Sequence, residues 1–232
     1  NTTGNENTAS GAISLFFNTT GNRNTASGAY SLCSNTTGNH NTATGRTALL
    51  NNTTGFSNTA SGYIALYHNT AGSNNTANGW ASLFSNTTGG FNSASGESTL
   101  YSNTTGYYNT ATGTNSLGSN TTGYLNTVSG AFSFFSNTTG KQNTASGAYS
   151  LFSNTTGLEN AAVGYNALYK NTIGSNSTAI GAWSLYNNTG ANNTALGHSA
   201  LYSNTSGQGN MALGKALYAN TTGNNNTGIG EL

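Results

Sequence analysis

Polar and apolar residues follow one another along this chain in a pattern that returns every 17 residues. Counted from the first Asn, each unit reads N-T-T-G-x-x-N-T-A-x-G-x-x-[SA]-L-[FY]-S, with a lone Ala at position 9 and a short apolar patch at positions 15 and 16. Position 1 falls on residues 1, 18, 35, 52, 69, 86, 103, 120, 137, 154 and 171 without a slip. The last units, starting near 188, 204 and 220, lose a residue in places. The chain therefore reads as a single repeat array over 1–232, with 17-residue units from 1 to 187 and shorter, slipped units over 188–232. Self-similarity at a fixed period is the mark of a stacked-repeat architecture.

A unit of 17 residues is too short for the helix pair of a helical repeat, and glycine at positions 4 and 11 of every unit argues against helix altogether. Two short strands joined by glycine-containing turns fit the length. The expected fold is all-β, a β-solenoid (β-roll) with about one repeat per coil. Neighbouring strands lie about 4.8 Å apart, so each residue sits over its own copy in the next coil. Position 15 then becomes an aliphatic column (Leu15, Leu32, Leu49, Leu66, Leu83, Leu100, Leu117, Phe134, Leu151), and Ala at position 9 leaves room only for a slender interior. Asn at positions 1 and 7 forms ladders whose amides bond to the coils before and after.

Position 16 is usually aromatic: Phe16, Tyr67, Phe84, Tyr101, Phe135, Phe152, Tyr169, Tyr186, Tyr202 and Tyr218. Adjacent strand residues face opposite sides. Either these rings form an outward stripe that associates with another chain, or a bend at positions 15 to 17 turns both columns inward. Positions 5, 6, 12 and 13 vary freely and read as the outside; Glu6, Arg23 and His40 share position 6 in successive units, as a short exposed charge stack.

Composition narrows the function. Only 4% of the residues are charged and the net charge is +1, which supplies no electrostatic footprint for nucleic acid. Hydrophobic residues make up 34%, with 13 Tyr and 9 Phe at fixed spacing, too much for a solvating linker. Cys33 is the single cysteine, so there is no disulfide framework and no paired-thiol metal site. No apolar run approaches the roughly 20 residues of a membrane span. The chain opens at a repeat boundary without Met or a signal-peptide pattern, and is expected to be a segment of a longer fibre.

Catalytic chemistry finds no foothold in the pattern. There is no Asp; Glu6, Glu97, Glu159 and Glu231, with His40, His68 and His198, occupy different columns or distant turns. General acid–base work needs partners within hydrogen-bond reach, and zinc needs three or four converging ligands. A non-enzyme without cofactor or metal is expected.

Two other patterns carry chemistry. The glycosylation acceptor N-x-[ST] recurs at position 1, in Asn1, Asn18, Asn35, Asn52, Asn86, Asn103, Asn120, Asn137, Asn154, Asn204 and Asn220, and Asn187 restores it where the register slips. These are candidate sugar attachment sites; the alternative is a purely structural Asn ladder with turn-forming Thr. Thr at position 8 with Ser or Thr at position 10, as in "NTATG" at 41 to 45, puts two hydroxyl columns on one strand face, the arrangement of ice-binding β-solenoids.

The later units read "NAAVGYNAL", "STAIGAWSL", "NTALGHSAL" and "NMALGKAL", with Val163, Ile180, Leu196 and Leu213 at position 10. This looks like the head-repeat motif of YadA-like trimeric autotransporter adhesins, and the whole array resembles the NTTGxxNTAxGxxAL repeats of bacterial surface and tail-fibre-like proteins. The resemblance implies a β-roll shaft, often a homotrimer, projecting from a cell or virion. The expected role is thus a structural or adhesive segment of an extracellular filament, self-associating and carbohydrate-coated; an ice-binding solenoid is the alternative.

Overall fold

The computed structural model describes residues 2–231. The chain falls into two compact units, residues 1–122 and 123–232. Each is a β-solenoid with one repeat per coil, and among the described residues there is no helix.

In the first unit the strands are β1 (Thr8–Ser10), β2 (Thr25–Ser27), β3 (Thr42–Thr44), β4 (Thr59–Ser61), β5 (Thr76–Asn78), β6 (Ser93–Ser95) and β7 (Thr110–Thr112). In the second they are β8 (Thr127–Ser129), β9 (Thr144–Ser146), β10 (Ala161–Val163), β11 (Thr178–Ile180), β12 (Thr194–Leu196), β13 (Met211–Gly214) and β14 (Thr227–Gly230). Within each unit, consecutive strands pair in parallel and like sits on like: Thr25 on Thr42, Ala26 on Ala43, Ser27 on Thr44. The slipped units keep this register, with Thr178 on Thr194 and Ala179 on Ala195.

Each coil has one strand, not the two expected. The remainder is turn, because positions 13 and 15 take left-handed backbone (Tyr30 at φ 60°, Leu32 at φ 49°) and cannot continue an extended run. Left-handed conformations at non-glycine residues cost about 1–3 kcal/mol each and need a surrounding structure that holds them. Here the turns are hydrogen-bonded from coil to coil as thoroughly as the strands. The N–H groups of Gly28 and Tyr30 donate back to Ser10 O (2.7 Å) and Ala12 O (2.8 Å), and those of Leu32 and Ser34 donate forward to Ala48 O and Leu50 O (both 3.0 Å). The left-handed Leu side chain is at the same time driven inward: Leu32, Leu49, Leu66, Leu83, Leu100 and Leu117 are fully buried in the first unit, as are Phe134, Leu151, Leu168, Leu185 and Leu201 in the second.

Beside the Leu and Ala columns the interior holds two columns of asparagine. Position 1 forms one ladder: Asn35 Nδ2 donates to Asn18 Oδ1 (2.7 Å), Asn52 to Asn35 (2.8 Å) and Asn69 to Asn52 (2.7 Å). Position 7 forms the other, with Asn41 Nδ2 on Asn24 Oδ1 at 3.2 Å and Asn58 on Asn41 at 3.1 Å. The ladders share an acceptor, since Gly38 O takes a second N–H from Asn35 (3.0 Å) and one from Asn24 (2.8 Å). Burying a primary amide is costly only when its bonding groups go unmet, and these are met. The glycine at position 4 follows from the same crowding: its φ is ordinary, but a Cβ on Gly38 would strike Asn35 Oδ1 and Gly55 O.

The ladders are interrupted within the second unit at its shortened coil. Ser177 replaces Asn at position 7, and the coil that begins at Asn188 is one residue short. Asn188 Nδ2 turns to Gly190 O (2.8 Å), and Asn171 Oδ1 is left buried without a hydrogen-bond partner.

Candidate functional site

With the interior filled by main chain, Asn, Ala and Leu, whatever this protein recognises must be met on its outer columns. Four of them carry the candidate residues.

The strand face is the flattest. In β2 to β7 the middle Ala is buried while positions 8 and 10 are exposed or half-exposed, so Thr25, Thr42 and Thr59 form one hydroxyl column and Ser27, Thr44 and Ser61 a second. In the second unit the same face changes chemistry. Position 10 passes from Ser146 to Val163, Ile180, Leu196, Leu213 and Ile229, stacked in register. Of these Ile180 is 44% and Ile229 78% exposed, and Met211 joins them at position 8. The result is an open aliphatic ridge.

The position-16 rings face outward beside the buried Leu column, so the inward alternative is not taken: Phe16 is 61% exposed and the rest are exposed or half-buried. They stack on one another along the coils. In the first unit Tyr67, Phe84 and Tyr101 lie with centroids 5.4 and 5.0 Å apart. In the second the stack runs Phe135, Phe152, Tyr169, Tyr186, Tyr202, Tyr218 at 5.2–5.6 Å, each ring within 13° of parallel to the next. Phe16 stands apart on Phe17, because Cys33 and Leu50 fill the column in the next two coils. The Cys33 thiol is buried, and burial raises its pKa, which keeps it un-ionised.

At positions 5 and 6, small Ser73 and Gly90 between Phe56 and Tyr107 open a hollow of about 400 Å³, flanked by the stacked rings of Phe91 and Tyr108. Arg23 Nε donates to Glu6 Oε2 at 2.7 Å, the exposed ion pair expected of position 6, worth about 0–1 kcal/mol. Among the described residues no group of three or more His, Cys, Asp or Glu converges as a metal site. No helix is long and apolar enough to cross a membrane.

The position-1 asparagines are a correction. A sugar-bearing amide must reach solvent, yet Asn18, Asn35, Asn52, Asn86, Asn103, Asn120, Asn137, Asn154 and Asn204 are buried in the ladder. Asn220 is half-buried, but its Nδ2 is held by Asn204 Oδ1 and Gly223 O; that of half-buried Asn187 is held by Tyr202 O. Asn1 lies outside the described residues. The recurrent N-T-T is explained otherwise: the Asn bonds inward, and the first Thr hydroxyl (Thr36) donates to the carbonyl of its copy, Thr53 O, at 3.0 Å. The second Thr of each triplet (Thr20, Thr37, Thr54) stays exposed.

No protein-family model matches the chain, and neither a curated protein nor a solved structure is similar to it.

Proposed function

We propose that this chain is a structural and adhesive segment of an extracellular filament, without catalytic activity. One observation carries the reading: the hydrogen bonds and core contacts of a coil are spent on the coils before and after it, while the outer columns vary freely. An architecture of this kind extends by adding coils and changes its contacts by changing exposed residues, without disturbing what holds it together. The resemblance of the later units to YadA-like head repeats supports the same placement at a cell or virion surface. The exposed second threonines of the N-T-T triplets are the hydroxyls open to a carbohydrate coat. Antibodies raised against the repeat should label intact source cells or virions and decorate filaments; labelling only after permeabilisation overturns the proposal.

Self-association belongs to this reading, with a homotrimer or a fibre as the product. The apolar surfaces available for it in the second unit are the aliphatic ridge and the position-16 stripe, and exposed contiguous apolar area favours association. Light scattering of the purified chain is expected to return an oligomer. Ile180→Ser with Leu196→Ser and Leu213→Ser, or separately Phe135→Ser with Phe152→Ser, should release monomers and so identify the surface used. A wild-type monomer at working concentration contradicts it.

The hydroxyl face of the first unit favours a second reading, ice binding. Its two exposed hydroxyl columns repeat at the strand spacing of about 4.8 Å. Position 10 is mostly Ser, which lacks the methyl group of Thr, and is Asn78 in β5; this places the reading second. Thermal hysteresis by the purified chain would reverse the order.

A further inference from the structure

The position-16 column of the second unit contains four tyrosines in succession, each stacked on the next. Tyr169 and Tyr186 have ring centroids 5.2 Å apart, Tyr186 and Tyr202 5.2 Å, and Tyr202 and Tyr218 5.3 Å, with interplanar angles of 5–7°. All four are half-buried, and each ring lies against the next along the column. Other tyrosine pairs are arranged differently. Tyr67 and Tyr101 are separated by Phe84; Tyr107 meets Tyr108, and Tyr149 meets Tyr165, edge to face.

We infer that this run is an oxidative cross-linking site, at which hydrogen peroxide and a haem peroxidase join neighbouring tyrosines by a carbon–carbon bond. The peroxidase takes one electron and one proton from each of two phenols. The two phenoxyl radicals couple through the ring carbons ortho to oxygen, and each ring returns to aromaticity as its ortho hydrogen moves to the phenolic oxygen. In sum, two tyrosines and one hydrogen peroxide give one dityrosine and two waters. The stack meets the main requirement of such a coupling, that a second phenol already lies against the first when the radical forms. The fixed coils hold the backbones in place, and the half-open rings are free to tilt through the last distance.

The position of the run gives the bond a purpose. Tyr186 belongs to the coil that starts at Asn171, and Tyr202 to the coil that starts at Asn188. At this step the position-1 ladder is broken and Asn171 Oδ1 is buried without a partner. A bond from Tyr186 to Tyr202 replaces the missing amide link by a covalent one, in a chain whose lone Cys33 cannot supply a disulfide within it. Burial, and then the neighbouring phenols of Tyr202, Tyr169 and Tyr165, raise the pKa of Tyr186.

The test treats the purified chain, at low concentration, with hydrogen peroxide and a haem peroxidase. Dityrosine fluorescence should appear in protein of unchanged chain mass on a denaturing gel. Mass spectrometry of the digest should find Tyr186 joined to Tyr169 or Tyr202, or Tyr202 to Tyr218, two hydrogen masses below the sum of the peptides. The double substitution Tyr169→Phe and Tyr202→Phe leaves no two tyrosines adjacent in the column, and the yield should fall about ten-fold. Phe already occupies this column at Phe135 and Phe152, so the variant keeps the fold, checked by its circular dichroism and urea midpoint. An unchanged yield in the variant, bonds that map to Tyr107 and Tyr108, or coupling only between chains overturns the inference.

Discussion

Asn86→Ala is expected to destabilise the protein by about 3–5 kcal/mol, more than any exposed substitution in the same coil. Asn86 is fully buried, and its Nδ2 donates to Asn69 Oδ1 at 2.8 Å and to Gly89 O at 3.0 Å, while its Oδ1 accepts from Asn103 Nδ2 at 2.8 Å. Alanine removes all three bonds and opens a cavity that the rigid coils cannot close. Gly89 O keeps the N–H of Asn75 at 2.8 Å, and Asn103 keeps Gly106 O at 3.1 Å, but Asn69 Oδ1 loses its ladder donor. An unmet buried polar group costs about 1–3 kcal/mol, against about 0.5–1.5 for the loss of an ordinary bond. Asn86→Asp keeps the volume but sets a buried carboxylate against Asn69 Oδ1 and Gly89 O, so it should destabilise at least as much with no cavity opened. Urea unfolding followed by circular dichroism measures both. Hydrogen exchange should show lost protection centred on residues 69–119, since stability in a stacked array is set between neighbours. A loss below about 1 kcal/mol would mean that the ladder is ornamental.

The second large effect belongs to Gly28→Ala. Gly28 sits at φ +131°, a backbone region that L side chains rarely adopt, and a Cβ there would lie 2.7 Å from both C and O of Gly45 in the next coil. Neither obstacle is a side chain that can swing away. Strain and main-chain collision together are expected to cost about 3 kcal/mol or more, with the coils around β2 failing to stack. Ser27→Ala, one residue earlier on the exposed face of β2, is the control and should stay within about 0.5 kcal/mol. The same urea titration decides; if Gly28→Ala unfolds with the wild type, the close approach of the coils at position 11 is not what fixes this residue.

The coil, its period and its Leu and Ala columns were legible in the sequence because identical letters at a fixed spacing leave few ways to bury Leu32 over Leu49. The division of the coil was not. Left-handed backbone at Arg23, Tyr30 and Leu32 carries no signature, since these residue types are not those that favour it; the neighbouring coils, not the local sequence, hold them there. A second strand was therefore expected where the structure has bonded turns. Asn35 misled in another way. A polar residue followed two places on by Thr37 reads as a surface acceptor for sugar, and only the stacking of Asn18, Asn35 and Asn52 makes it an interior residue. The aromatic stripe was readable as a column, and its outward direction follows from the turn at Leu15 rather than from strand alternation. What touches it lies outside the chain's own pattern.

The amide ladders have an arrow. In both columns the donor belongs to the later coil and the acceptor to the earlier one: Asn35 gives to Asn18, Asn41 to Asn24, Asn204 to Asn188, Asn226 to Asn210. A chain leaving the ribosome amino end first thus lays the asparagines of each new turn onto waiting amide oxygens, the finished turn serving as template and the nascent one as copy. Growth along the ladders is vectorial in that sense, and a terminating cap needs two amide N–H groups for the last ladder oxygens, together with carbonyl oxygens for the forward-pointing N–H groups, of the kind Asn24 gives to Gly38 O and Leu32 to Ala48 O.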